Sequence, residues 1–402
     1  MTLLLPGLSS KSAKLRSLLI LMLAEIAGMS LWFMSAAILP DMEAETVISD
    51  FRQAALSSAV QAGFVLGALY SAFFGLSDRM DPRRLFALCA VAAALANASL
   101  LFSVPGGNLA ILARFITGAL LAGVYPVGLK IAVSWGQKDR GLLVGTLVGA
   151  LTFGSAAPHL LALAGGADWR WSVLVASIAA VIGGLLCLIT SLGPFHGTAG
   201  RFDIRTISIA WTNRKVRLAY AGYLAHMWEL YSMWAWIGLA ATVSFRASMA
   251  NNDAIALGRL LAFGAIAAGG VACIIGGVFA DRLGKETIAI TALVVSGSAA
   301  VATAFTFGGP PWLTIICVLV WGASILPDSA QFSALVADHS PAEKAGSLMT
   351  FQTALGFALT FVTVQATPVL ALAIGWPAVF IIMALGPVFG IIAMIRLKKL
   401  IS

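Results

Sequence analysis

The sequence has few charged residues and no long polar segment. Only 10% of its 402 residues are Asp, Glu, Lys or Arg, whereas an ordinary soluble domain carries about a quarter. With 60% hydrophobic residues as well, this scarcity excludes an ordinary soluble domain. The composition indicates an integral membrane protein.

Catalytic and disulfide patterns are also missing. All four cysteines lie within apolar runs, so they do not form the disulfide framework of a small secreted protein. The sequence offers no nucleophile with its base and no His-Glu-x-x-His metal motif, so it does not support an intramembrane enzyme. The net charge of +8 does not indicate nucleic acid, because the basic residues cluster at alternate ends of the apolar runs.

Twelve apolar runs reach the length of roughly 20 residues that a bilayer span needs. The first follows three basic residues and resembles a signal peptide, but it continues to about Leu39. Because a signal peptide has an apolar region of only about 7–15 residues, this run predicts a retained first helix. The predicted spans, numbered 1 to 12 in chain order, are residues 16–39, 54–76, 85–104, 109–134, 141–163, 170–191, 217–244, 256–280, 287–307, 312–335, 346–370 and 376–397.

A polar segment divides the spans into six and six. It predicts an N-terminal bundle at 1–193, a cytoplasmic linker at 194–215 and a C-terminal bundle at 216–402. Most of the 25 Lys and Arg residues lie on one side if both termini are cytoplasmic, as the positive-inside rule requires. We therefore expect a multi-pass protein of a bacterial inner membrane. The loops on the other side hold mainly acids, such as Asp41, Glu43, Glu45 and Asp50.

The two halves share a repeated motif. Residues 25–32 and 229–236 both read Glu-x-x-x-Met-x-x-Trp, and each copy lies inside a span. Pro126 in span 4 has a counterpart in Pro327 in span 10, at nearly the same offset. Because each half has six spans, an even number, the repeats are predicted to be parallel and related by a two-fold axis along the membrane normal.

Several motifs resemble those of the major facilitator superfamily of secondary transporters. Residues 277–285 fit that family's Gly-x-x-x-Asp-Arg-x-Gly-Lys/Arg loop between helices 8 and 9, and Arg114-x-x-x-Gly118 is similar to its helix-4 motif. Gly145 and Gly154 have the spacing of the family's antiporter motif, but Pro158-His159 replaces the expected Gly-Pro. The loop after span 2 departs from the pattern by an extra residue. The chain thus resembles this family as a whole more than its drug/proton antiporters.

The resemblance implies an all-α membrane fold of twelve helices in two six-helix bundles. It also implies a central cavity lined by spans 1, 4, 7 and 10, which opens alternately to the two sides. The clear ionisable residues within spans, apart from His159 on span 5, fall on these four: Glu25, Arg114, Lys130, His226, Glu229 and Asp328. By the same resemblance, the cytoplasmic gate would consist of Asp78, Arg79, Asp281 and Arg282.

The buried acids predict proton coupling. A charged side chain at the centre of a bilayer costs about 2.5–3.5 kcal/mol unless it meets water or a partner. Glu25 and Glu229 lie near the middle of their runs, so either could bind a proton and release it when the cavity opens. His226 shares a helix face with Glu229, and Asp328 follows the bend expected at Pro327. Both are therefore added to the proton-coupling candidates.

Basic and aromatic residues on the cavity-lining spans indicate where the substrate would bind. Arg114 and Lys130 would make span 4 positive, provided that Pro126 bends it, because a straight helix would place them about 160° apart. Aromatic side chains suit organic solutes through stacking or cation–π contact. The other candidates on the cavity-lining spans are Trp32, Tyr223, Tyr231, Trp236 and Gln331.

These features predict a proton-coupled carrier of a small organic solute, with an anion favoured by the basic residues. We expect a monomer in the lipid bilayer that binds solute and protons, without cofactor, metal or nucleic acid. The alternative is a drug/proton antiporter, favoured by the rings of span 7 and the glycine spacing of span 5. A metal-ion carrier stays open, although no tight ligand spacing demands it. A receptor or scaffold would not explain acids on three of the four cavity-lining spans.

Overall fold

The structure is a computed structural model that describes residues 10–136, 140–197 and 204–401. Six residues within these ranges have undescribed side chains, among them Asp281 of the predicted gate. The first nine residues of the predicted N-terminal bundle and residues 198–203 of the predicted linker also lie outside the described part.

The first half of the chain forms six spans, two of which consist of two helices. In order, spans 1 to 6 are Ser10–Met29 with Met34–Glu45, Asp50–Phe74, Pro82–Ala98 with the 3-10 turn Ser99–Phe102, Asn108–Leu121 with Tyr125–Val133, Arg140–Ala164, and Trp169–Leu188. A short helix, Leu76–Arg79, joins spans 2 and 3. Asp81 caps span 3, and its hydrogen bond from the Arg83 side chain lowers the pKa of this loop carboxyl to about 2.

The second half repeats this arrangement. Spans 7 to 12 are Arg214–Phe245, Asn251–Leu283, Lys285–Thr306, Pro311–Ser324 with Ser329–Asp338, Ala342–Ile374, and Trp376–Ile401. The described part of the linker contains the 3-10 turn Ile204–Thr206 and the helix Ile207–Thr212. Because the number of spans is even, Ser10 and Ile401 lie on the same side, which we call the terminal side.

The prediction of twelve spans is confirmed within the described residues. Eleven are apolar enough to cross a membrane by composition alone. The twelfth, Arg214–Phe245, has the length but carries His226, Glu229 and several Trp and Tyr side chains. The prediction that the acids after span 1 stand in a loop is wrong, because the helix continues to Glu45. The sequence there, Asp-Met-Glu-Ala-Glu, is rich in helix-forming residues.

Three spans are interrupted near their middle. Span 1 stops at Met29 and resumes at Met34, span 4 stops at Leu121, and span 10 stops at Ser324. In span 4 the second helix begins beside Pro126, and in span 10 Pro327 lies in the gap. Proline removes a backbone donor and so favours a break, whereas span 1 has no proline at its interruption. Breaks of this kind leave backbone groups that other parts of the protein must satisfy.

Matching helix pairs pack in both halves. Spans 1 and 5, 1 and 6, 2 and 4, and 3 and 6 pack together, and so do spans 7 and 11, 7 and 12, 8 and 10, and 9 and 12. The two bundles meet through span 2 against span 11 and span 5 against span 8. Span 2 corresponds to span 8, and span 5 corresponds to span 11, so exchanging the two halves converts one interface into the other. The packing therefore has the parallel two-fold pseudosymmetry expected from the repeat.

Spans 2 and 4 approach backbone to backbone through glycine. A Cβ added to Gly63 would lie 1.9 Å from the carbonyl oxygen of Phe115, and one added to Gly118 would lie 2.0 Å from that of Val60. No side chain fits at such distances. Gly118 of the Arg114-x-x-x-Gly118 motif is therefore required by helix packing.

We expect Gly118→Ala to lower the stability of the protein by about 1–3 kcal/mol or more, because the new methyl group forces two backbones apart. The thermal unfolding temperature of the purified protein in detergent measures this effect. Gly346→Ala is the matched control, since its Cβ would meet no atom within 4 Å. Equal unfolding temperatures for the two variants would contradict the packing argument.

Spans 5 and 8 are close in their middle and diverge toward the terminal side. A Cβ on Gly270 would lie 3.1 Å from Thr152 Cβ, and one on Gly149 would lie 3.2 Å from Ile274. Nearer the terminal side, a Cβ on Gly141 or Gly277 would meet nothing within 4 Å. At these glycines, the packing of span 5 against span 8 is therefore looser toward the terminal side.

Candidate functional site

An ion pair joins the two bundles on the side opposite the termini. Arg259 at the start of span 8 pairs with Asp41 at the end of span 1, and their side chains are only 7% and 8% exposed. Arg259 also donates to the carbonyl oxygens of Ala162 at 3.1 Å and Gly166 at 3.4 Å, at the end of span 5. One guanidinium thus holds two spans of the other bundle. We call these four residues the latch.

Spans 2 and 11 are joined on the same side. Ser58 donates to the Gln365 side chain at 2.6 Å, and the Gln365 amide donates to the Phe51 carbonyl at 3.1 Å. Together with the latch, these bonds close the interface between the bundles on the side opposite the termini. The structure is therefore closed there, while spans 5 and 8 diverge on the terminal side.

Asp41→Asn should shift the conformational equilibrium away from this closed arrangement. Removing one partner of a buried ion pair costs about 3–5 kcal/mol, although the backbone bonds of Arg259 keep part of the latch. We expect the population open on this side to rise about tenfold or more, since 1.4 kcal/mol corresponds to a factor of ten.

Spin labels at two exposed positions on this side, Val47 and Asn252, report the separation of the bundles. With the native cysteines replaced by alanine, Asp41→Asn should add a longer distance to the electron–electron distance distribution. Glu45→Gln is the control, because Glu45 pairs with Arg170 inside the N-terminal bundle. Unchanged distances in Asp41→Asn would show that the latch does not hold the closed state.

Aromatic rings bridge the bundles between the latch and the terminal side. Trp32 lies 5.0 Å from Phe64, 5.9 Å from Tyr231 and 5.6 Å from Phe357, measured between ring centroids. Phe64 and Phe357, from opposite bundles, are 4.5 Å apart. We call the connected rings the aromatic floor, which comprises Trp32, Phe33, Phe64, Tyr231, Trp234 and Phe357.

Glu25 lies inside the N-terminal bundle and has no hydrogen-bond partner in the part of the chain that the structure describes. Its side chain is fully buried, and neither carboxyl oxygen accepts a hydrogen bond from the described residues. It packs against Gly128 in the second helix of span 4, where a Cβ would lie 2.6 Å from Oε2, and near Phe86 of span 3. The carboxyl therefore has protein on every side and occupies space that Gly128 leaves open.

Glu229 has the equivalent position in the C-terminal bundle but is bonded. It accepts from Trp321 Nε1 at 2.7 Å and from Ser296 Oγ at 3.1 Å, on spans 10 and 9. Glu25 likewise faces spans 3 and 4, so each acid points toward matching spans of its own bundle. The two acids of the repeated motif thus share a location and differ in their partners.

His226 and Asp328 form a second polar pair beside Glu229. Nδ1 of His226 is 3.0 Å from Oδ1 of Asp328, and the two side chains are 1% and 2% exposed. The distance suits an ion pair, but the angles do not suit a hydrogen bond. The attraction therefore depends on a proton on His226. Asp328 reaches this position because it ends the gap in span 10.

Arg114 holds the interruption of span 1. It donates to the carbonyl oxygens of Leu31 at 2.8 Å and Trp32 at 2.6 Å, and to the Asn97 side chain at 2.8 Å. These carbonyls lie in the gap between the two helices of span 1, where the regular helical bonds are missing. Arg114 is fully buried, and its hydrogen bonds to these carbonyls stabilise the backbone of the interruption. Its predicted contact with a substrate stays a prediction.

Lys130 is not brought together with Arg114. It pairs with Asp78 and donates to the Ser77 carbonyl at 2.6 Å, near the terminal side. Asp78 of the predicted gate thus binds span 4 of its own bundle. Arg79 and Arg282 lie at the terminal-side ends of their helices, and Lys285, three residues after Arg282, pairs with Asp338. The role of these residues as a gate stays a prediction.

The remaining site candidates are buried on spans 7 and 10. Tyr223 packs against His226 and Phe332, and Trp236 donates to the Val364 carbonyl at 3.0 Å. Gln331 is 5% exposed in the second helix of span 10. Tyr231 and Trp32 belong to the aromatic floor. Among the described residues, no group of three or more His, Cys, Asp or Glu could hold a metal ion.

The latch was missed by the sequence reasoning. Asp41 was assigned to a loop, and Arg259 was overlooked although it lies inside the predicted span 256–280. An arginine inside a span is itself a functional signal, so Arg259 could have been found. Its partner could not, because spans 1 and 8 are far apart in the sequence. His159 of span 5 is buried, has no hydrogen-bond partner among the described residues and lies against Gly238 of span 7.

Comparisons with known proteins agree with this architecture. The family model described as Major Facilitator Superfamily matches residues 21–364. A crystal structure of a mutant of the nucleoside transporter NupG matches with a TM-score of 0.70 and 13% sequence identity, covering 95% of this chain and 99% of that chain. No curated protein matches the sequence. The fold, its broken and paired spans, and the family match together establish a secondary transporter fold, and the chain belongs to the Major Facilitator Superfamily.

Proposed function

We propose that this transporter couples the movement of a small organic solute to the movement of protons. The observation that carries the proposal is Glu25, a fully buried carboxyl in the middle of a span that has no hydrogen-bond partner among the described residues. A buried charge without a partner costs several kcal/mol, so a proton is the simplest partner for this group. Glu25 is the residue we assign to proton coupling.

The position of Glu25 supports its exchange with solvent during transport. It packs against the second helix of span 4, directly after the interruption at residues 122–124. A broken helix can change its packing through a small rotation at the break. Movement of this segment would remove Gly128 from the carboxyl and admit water. In the C-terminal bundle, Glu229, His226 and Asp328 form the second group of titratable side chains.

The described contacts give less support to an anionic solute than to an uncharged one. The expectation of an anion depends on Arg114 and Lys130, and both already bind protein groups. Proton-driven export of a drug-like compound is the second candidate, favoured by the aromatic floor between the bundles. The two candidates differ in the direction of proton movement relative to the solute. Proton-coupled uptake by symport moves both in the same direction, whereas proton-driven export by antiport moves them in opposite directions.

Proton movement in proteoliposomes tests the proposal. Purified protein is reconstituted with a pH-sensitive dye inside the vesicles, and a panel of uncharged, anionic and cationic organic solutes is added outside. We expect at least one solute to change the internal pH at a rate that depends on its concentration. Acidification would identify symport and alkalinisation antiport. Solute flux without any pH change would contradict proton coupling.

We further propose that the transporter acts as a monomer in a bacterial inner membrane with cytoplasmic termini. The clustering of basic residues on the terminal side supports this orientation through the positive-inside rule. In that orientation, the closed latch faces the periplasm and the diverging side faces the cytoplasm. Labelling of Val47→Cys by a membrane-impermeant maleimide in intact cells tests it, because Val47 is 99% exposed on the latch side.

A further inference from the structure

The aromatic floor has unpaired donors. The indole N–H groups of Trp32 and Trp234 are buried and find no partner among the described residues. Other buried indoles in the same region are bonded, such as Trp236 to the Val364 carbonyl and Trp321 to Glu229. A buried polar group without a partner costs about 1–3 kcal/mol. An acceptor supplied by a bound molecule would recover that energy.

The floor also offers ring faces from both bundles. Trp32 and Phe64 belong to the N-terminal bundle, and Tyr231, Trp234 and Phe357 belong to the C-terminal bundle. Ring pairs from the two bundles will separate whenever the bundles move apart. A planar molecule between them would therefore gain stacking contacts in one state and lose them in another, which is the property of a transported solute.

No charged side chain belongs to this set of rings. Arg114 contacts the backbone of this region, but its Nη2 is bound to the Leu31 and Trp32 carbonyls. An anion would find no opposite charge among these rings, and a cation alone would leave the unpaired indole N–H groups without an acceptor. An uncharged solute with a carbonyl oxygen suits the site best.

We propose that the aromatic floor is the solute-binding site and that its solute is a planar, uncharged, conjugated molecule carrying a hydrogen-bond acceptor. When the bundles move apart, its ring enters between Trp32, Tyr231 and Phe357, which contact one another in this structure, and its acceptor receives the indole N–H of Trp32 or Trp234. This inference depends on the proposed transport function, since it names the class of solute that the carrier moves.

Binding of two matched probes tests the proposal. Benzamide and cyclohexanecarboxamide carry the same amide, but only benzamide has a planar ring. Ligand-observed NMR with the purified transporter should give a dissociation constant about 2- to 12-fold lower for benzamide, as expected from an aromatic pair energy of about 0.5–1.5 kcal/mol. Equal affinities, or no binding of either probe, would overturn the proposal.

Trp32→Phe and Trp234→Phe keep a ring and remove the N–H group. At least one should weaken benzamide binding about 2- to 12-fold, the effect of losing one neutral hydrogen bond. Trp312→Phe is the control, because Trp312 is 60% exposed outside the floor. If the tryptophan variants do not fold, Phe357→Leu keeps the bulk and removes a ring, with the same expected loss. Unchanged affinity in the folded variants would overturn the assignment.

The proposed function and this inference can fail separately. Benzamide binding without proton movement for any transported solute would leave the site assignment intact and refute proton coupling. Proton movement driven only by non-aromatic solutes would support coupling and refute the assignment of the solute class.

Discussion

Glu25→Gln should abolish solute-driven proton movement while leaving the protein folded. The amide has nearly the shape of the carboxyl but cannot bind and release a proton, and Glu25 makes no hydrogen bond to the described part of the chain that the change could break. In proteoliposomes, the internal pH change should fall to the level of protein-free vesicles. Exchange of solute for solute, which needs no net proton movement, should continue.

Matched variants separate coupling from general damage. Glu343→Gln makes the same chemical change at an exposed position and should keep wild-type proton movement. Glu229→Gln tests the equivalent acid, which is already bonded to Trp321 and Ser296. Wild-type coupling in the Glu25→Gln, Glu229→Gln double variant would refute proton coupling through these acids.

Arg114→Met should lower the stability of the protein by about 2–6 kcal/mol. The methionine fills part of the space, but the Leu31 and Trp32 carbonyls and the Asn97 side chain lose their donor. Each buried acceptor left without a partner costs about 1–3 kcal/mol, and the relief from burying a charge offsets part of the sum. The thermal unfolding temperature in detergent measures the loss.

Two further substitutions make this result specific. Arg170→Met breaks an ion pair with Glu45, but both side chains are well exposed, so the expected change is about 0–1 kcal/mol. Arg114→Lys keeps a charge and part of the hydrogen bonding and should restore some stability. If Arg114→Met were as stable as the wild type, the interruption of span 1 would not depend on this guanidinium.

Much of the fold could be predicted because local patterns determine it. Apolar run lengths give the number of spans, and Pro126 and Pro327 mark two of the three interruptions. The repeated Glu-x-x-x-Met-x-x-Trp motif correctly indicated a matched pair of buried acids, whose roles stay predictions. The predicted end of span 1, residue 39, is too early, because the apolar run stops there while the helix continues through polar residues to Glu45.

The bonding of the site could not be predicted, because it depends on contacts between distant spans. Glu25 and Glu229 are alike in sequence, and only the positions of Ser296 and Trp321 make one bonded and the other not. The interruption in span 1 contains no proline, so the sequence did not predict it. The free backbone carbonyls that Arg114 binds there could therefore not be predicted either. The pairing of Arg259 with Asp41 likewise appears only once spans 1 and 8 are adjacent.

The closed latch has a consequence for inhibition. In this conformation the latch and the bonds of Ser58 and Gln365 join the bundles on one side, so a membrane-impermeant blocker of the aromatic floor would have to enter from the terminal side. In the proposed orientation with cytoplasmic termini, such a compound would act on inside-out vesicles and spare right-side-out ones as long as this conformation dominates. A difference in inhibition between the two vesicle orientations would therefore report which side of the transporter is closed.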